Sequence, residues 1–169
     1  MQLSRSEKTR RVVLCGVLTA AAFVLSYVES LLPFSIGVAG VKLGLANVVS
    51  LCALYTLGTG PAFGVLLARI VLTSFTFGNM SALLYSLAGG LFSFLVMWLC
   101  KKSKKFGVMG VGIAGGVTHN LGQLTVASFM LGRAITAYLP ILMLSGAIAG
   151  TAVGAAAAVA VKHLKKVRR

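Results

Sequence analysis

Apolar stretches fill nearly all of the chain between Val12 and Val161, and they leave it few ways to fold. A helix that crosses a bilayer needs about 20 mostly apolar residues, so this length accommodates about six closely connected spans. Hydrophobic residues make up 58% of the 169 positions and charged residues only 11%, too little polar surface to cover a water-facing globule. The reading is an all-α integral membrane protein with a single transmembrane domain over residues 12–161. A basic N-terminal segment, 1–11, and a basic tail, 162–169, flank it. No length remains for a soluble enzyme domain.

The formal net charge of +14 raises the question of nucleic acid, but the placement of the charges argues otherwise. Arg5, Lys8, Arg10 and Arg11 precede the first apolar run; Lys101, Lys102, Lys104 and Lys105 fill one connection; Lys162, Lys165, Lys166, Arg168 and Arg169 close the chain. Under the positive-inside rule all three clusters belong in the cytoplasm. Both termini are then inside, with an even number of spans between successive clusters. These cations serve to orient the chain in a plasma membrane, with the bilayer and not nucleic acid as partner. The first run is long and lacks a clear small-residue cleavage site, so it is expected to persist as a helix. Cys15, Cys52 and Cys100 lie singly in apolar runs, without metal-ligand spacing, and read as buried structural thiols.

Turn and breaker residues divide the runs into helices over about 12–32, 43–57, 61–77, 79–100, 108–131 and 135–161. A Gly-rich segment, PFSIGVAGVK, follows the first, and Pro61 suits a helix start. Glycines recur at every fourth position in Gly146, Gly150 and Gly154, and again in Gly112 and Gly116, while Gly16 and Ala20 make a similar stripe on the first helix. Small residues let membrane helices approach closely. The stripes therefore serve either packing within one subunit or docking to a partner.

Polar residues at membrane depth are costly and tend to face a bundle interior or cavity, so the few present are the candidates for function. They are Glu29, Lys42, Asn47, Arg69, Asn79, His119, Asn120 and Gln123, and most map to the outer half of the expected topology. Thr73 and Thr76 share a helix face with Arg69, and Ser86 and Ser93 continue a face with Asn79 and Gly90. Each has a structural alternative: Arg69 pinned by Glu29, the asparagines as interhelical hydrogen-bond glue, His119 as a packing residue. Against these, Glu29 is the one acid outside the N-terminal segment, and the cations around it exceed it. A small anionic ligand bearing carboxylate or phosphate would balance them.

Catalysis has little to work with. There is no aspartate, so no carboxylate cluster to hold the Mg²⁺ that prenyl or phosphoryl transfer requires. No GxxxxGK[ST] sequence occurs, so the chain has no nucleotide hydrolysis of its own. The expectation is a protein without enzymatic activity, cofactor or metal.

The segments Lys42-Leu43-Gly44-Leu45-Ala46-Asn47 and His119-Asn120-Leu121-Gly122-Gln123, with Arg69, Ser86, Gly89, Gly90, Ser93 and Tyr138-Leu139-Pro140, resemble the bacterial membrane family called heptaprenyl diphosphate synthase component I, or Gx transporters. The resemblance spans about residues 12–161. It implies a bundle similar to the substrate-binding subunits of energy-coupling factor transporters, which capture a vitamin or related molecule near the outer face. Those subunits depend on a transmembrane coupling subunit and paired ATPases. By this resemblance Gly16 and Ala20 belong to the docking surface, and the ligand is a vitamin, isoprenoid or quinone precursor. The alternative it implies is a non-catalytic membrane partner of a soluble prenyl diphosphate synthase.

Overall fold

A computed structural model describes residues 5–31 and 44–167. Among these residues six α-helices and one short 3-10 helix follow one another: α1 Arg5–Leu31, α2 Asn47–Thr56, α3 Thr59–Thr76, α4 Met80–Ser103, α5 Val108–Leu131, the 3-10 helix Arg133–Tyr138, and α6 Leu139–Val167. The chain is an all-α, multi-pass membrane protein.

Local chemistry sets the breaks. Gly58, at φ 96°, separates α2 from α3, a conformation that costs a side chain but not glycine. Pro61 falls in the first turn of α3, where its missing N–H forfeits no helical bond. Asn79 accepts a hydrogen bond from the Ala82 N–H at 2.8 Å and so caps α4. Gly132, at φ 90°, ends α5, and Pro140 sits at the second residue of α6. Helix α1 extends to Arg5, so the basic N-terminal segment continues the first span as exposed helix.

The expected six spans resolve unequally. Helices α1, α3 and α4, and the stretch Arg133–Leu164, are long and apolar enough to cross a bilayer. Helix α2 has 10 residues, roughly 15 Å of rise against a hydrocarbon core of about 30 Å. Its expected start at Leu43 lies outside the described residues, as do Lys42 and the Gly-rich segment. Helix α5 has the length, at 24 residues, but its run Thr118–Gln123 places amide and imidazole groups mid-helix.

Helices α5 and α6 meet backbone to backbone. A Cβ on Gly112 would stand 2.5 Å from Gly154 Cα, and one on Gly150 would stand 2.7 Å from Gly112 O. One on Gly116 would collide with Gly146 O. The stripe Gly146, Gly150 and Gly154 is therefore taken up by α5 of the same chain, which is the packing reading of the two, and not the partner-docking one. On its other side α5 packs against α4, where a Cβ on Gly122 would stand 2.7 Å from Ala88 O. By contrast Gly16 has no atom within 4 Å of its Cβ position, and Gly16 and Ala20 are exposed.

Leu51, Leu54, Leu66, Ile70, Met97 and Val153 form the apolar core among α2, α3, α4 and α6. Helix α1 joins it through Ala22, which clusters with Val49 of α2 and Val65 of α3. Phe77, after α3, stacks edge-on against Phe23 and Tyr27 of α1 with ring centroids 5.4 Å apart in each case. Lys101 Nζ donates to the Leu54 carbonyl near the end of α2 at 2.6 Å. Asn47 opens α2, so the Lys101 connection and the polar groups around Asn47 lie toward opposite ends of the bundle.

Candidate functional site

Arg69, His119, Gln123, Asn47 and Glu29 are each at most 7% exposed, although every one of them would be better solvated in water. Their positions form a circuit through the apolar bundle. Glu29, near the end of α1, accepts a hydrogen bond from the Gly44 N–H at 2.5 Å. Gly44 has φ 79° and leads into α2; a Cβ there would stand 2.8 Å from Asn47 Nδ2 and 3.0 Å from His119 Cδ2. Only the missing side chain lets this backbone seat itself between Asn47 and the imidazole.

Across the imidazole lies α4. A Cβ on Gly89 would stand 2.9 Å from His119 Nδ1 and Cε1 and from Gln123 Cγ. His119 and Gln123, one turn apart on α5, bring Nε2 and Nε2 within 3.1 Å. With the amide of Gln123 donating, the ring nitrogen accepts. The next α4 residue, Gly90, faces α3: its Cβ position is 2.9 Å from Ile70 Cδ1 and 3.9 Å from Arg69 Nη2. Neighbouring helix residues differ by about 1.5 Å in height. The guanidinium of α3 and the imidazole of α5 thus approach α4 at one depth, through two adjacent glycines.

Arg69 closes the circuit, since Glu29 lies within electrostatic reach of it. Glu29 thus acts on the charge of Arg69, but the hydrogen bonding of the guanidinium is incomplete. Nε and Nη2 of Arg69 are buried with no hydrogen-bond partner among the described residues. An unmet donor of this kind costs roughly 1–3 kcal/mol, and membrane-spanning proteins meet such groups internally wherever they can. Asn47 Oδ1 is likewise unmet.

Two expected site residues sit elsewhere. Asn120 turns to α6, donating to the Leu142 carbonyl at 2.7 Å and to Ser145 Oγ at 3.1 Å, so it serves the α5–α6 seam. Asn79 is exposed and occupied in capping α4, beside a cleft of about 210 Å³ lined with Ser74, Phe75 and Met80. Lys42 lies outside the described residues. Of the two threonines placed with Arg69, Thr73 is buried and Thr76 exposed.

The buried hydroxyls of Ser26 and Ser50 escaped notice in the sequence. Both lack a hydrogen-bond partner among the described residues. Ser26 precedes Glu29 by three residues and Ser50 follows Asn47 by three, which is same-face spacing on a helix. That spacing was the available signal. Among the described residues no group of three or more His, Cys, Asp or Glu side chains is placed to hold a metal.

The family model for heptaprenyl diphosphate synthase component I matches residues 18–160. No curated protein and no solved structure matches the chain.

Proposed function

The chain belongs to the heptaprenyl diphosphate synthase component I family, and from that premise we propose that it is a membrane substrate-binding subunit that captures a small anionic molecule for uptake. The observation that carries this reading is the circuit from Glu29 through Gly44, His119 and Gly89–Gly90 to Arg69. Four helices and the lead-in to a fifth each contribute a polar group or a clearance to it. Packing alone has no use for such an arrangement, because apolar residues of similar volume would stabilise a bundle at least as well.

In this reading the protein performs no chemistry of its own and needs no cofactor. A separate transmembrane coupling subunit with paired ATPases supplies the energy, and the exposed Gly16–Ala20 face of α1 is open to receive it. The ligand is a vitamin, isoprenoid or quinone precursor, and the membrane is the bacterial plasma membrane. The test is extraction of the purified chain followed by mass spectrometry of what it retained. One anionic species enriched over an identically purified control membrane protein is the expected result. A chain that retains nothing, and supports no uptake with any coupling subunit and ATPases, removes the reading.

The family name favours a second reading, a non-catalytic membrane partner of a heptaprenyl diphosphate synthase. Lys102, Lys104 and Lys105 are exposed in the connection after α4 and would recruit the soluble enzyme. Co-purification with a prenyltransferase, lost when the three lysines are changed to glutamine, would establish it in place of the first.

A further inference from the structure

Nε–H and the Nη2 amino group lie on the same edge of the planar guanidinium, and their N–H bonds run nearly parallel. That edge matches the spacing of two oxygens on one carboxylate or phosphate. In Arg69 these two nitrogens are the ones left without a hydrogen-bond partner among the described residues, on a side chain only 5% exposed. Glu29 lies within electrostatic reach but bonds to neither, and its Oε1 accepts from the Gly44 N–H. Opposite Nη2, Gly90 leaves its Cβ position 3.9 Å from that nitrogen, so α4 sends no side chain across it.

We propose that the ligand of this site carries a carboxylate or phosphate whose two oxygens are held side by side by Nε and Nη2 of Arg69. The inference rests on the receptor reading and narrows its ligand class. A neutral carbonyl could occupy only one of the two donors. A halide would sit between them without matching their parallel direction. The edge therefore selects two-oxygen anions, and at the depth of His119 it fixes which end of the ligand enters deepest.

The test uses the full chain in nanodiscs of phosphatidylcholine, which contain no anionic lipid, melted in sodium phosphate, in sodium acetate and in sodium chloride at equal ionic strength. Phosphate or acetate should raise the melting temperature of the wild type above its value in chloride, as binding to the native state requires. Arg69→Lys keeps the charge and loses the fork, so its apparent affinity should fall by roughly tenfold or more; Arg69→Met, an apolar replacement without donors, should lose the response altogether. Melting in both anions that equals melting in chloride overturns the proposal, and so does Arg69→Lys behaving as wild type. If the wild type retains a neutral or cationic molecule that Arg69→Lys also retains, the oxyanion grip fails while the receptor reading survives. If no small molecule is retained or taken up, yet the Arg69-dependent response to phosphate persists, the receptor reading fails and the grip survives. A response that appears only after anionic lipid is added assigns the edge to a lipid headgroup and overturns the small-molecule ligand.

Discussion

Glycine does opposite work in two parts of this bundle. Along the α5–α6 seam, Gly112, Gly116, Gly146, Gly150 and Gly154 bring main chain against main chain, and backbone fills the space that side chains would take. At Gly89 and Gly90 the vacated space is filled by the reaching ends of side chains, the imidazole of His119 on one flank and Ile70 and Arg69 on the other. The seam leaves little room for anything else, whereas the second arrangement gathers polar groups at one depth and leaves some of their hydrogen bonds unmade. A small residue in a membrane helix therefore says that something comes close. What comes close decides whether the place is architecture or a site.

The strongest way to break this contrast is Gly150→Val. Its Cβ would meet Gly112 O at 2.7 Å and Ile113 Cα at 2.8 Å, backbone atoms that cannot rotate away. The expected loss is about 3 kcal/mol or more, seen as a collapse of the monodisperse peak in size-exclusion chromatography. A well-behaved variant would mean that the seam tolerates what its geometry forbids.

Arg69→Met sharpens the other side. Combined with Glu29→Gln, so that no buried charge is left unpaired, it should leave the ligand-free protein as stable as wild type, or more stable by up to about 1–3 kcal/mol, while abolishing ligand retention. Stability and binding moving in opposite directions is the signature of a site. If melting shows a loss of the size that core truncation brings, Arg69 belongs to the architecture instead.

The smallest effect belongs to Asn120→Ala. Its bonds to the Leu142 carbonyl and Ser145 are interhelical, of a kind worth about 0.6 kcal/mol on average and up to about 1.7 in a membrane protein. Melting should fall slightly and ligand retention should not change. Lost retention would move Asn120 from the seam into the site.

Much of the fold was legible because apolar run length and breaker residues act locally. Gly58, Asn79 and Gly132 mark helix ends where the sequence suggests them, and α5 runs over the expected Val108–Leu131. Helix α2 was harder to bound, since an apolar run does not reveal how much of itself is helical. The site was legible as a list of polar residues and not as an arrangement. His119 and Asn120 are neighbours, but about 100° of helical rotation points one toward Gly89 and the other toward α6. Where a helix is buried on both faces, as α5 is, sequence periodicity cannot say which face holds the ligand. Gly44 was quoted only within its motif, because its importance comes from a bond to Glu29, 15 residues away.

The polar run in α5 also bears on how the protein is made. A segment carrying His119, Asn120 and Gln123 at mid-helix is a poor candidate to leave the translocon for lipid unaided, since each polar group would enter hydrocarbon before finding its partners. Its neighbours supply part of what it lacks: Gly89 on α4 makes room for the ends of His119 and Gln123, and the Leu142 carbonyl and Ser145 Oγ on α6 accept from Asn120. Synthesis places α4 ahead of α5 and α6 behind it. The α6 hydrogen bonds of Asn120 therefore become available to α5 only once α6 has emerged.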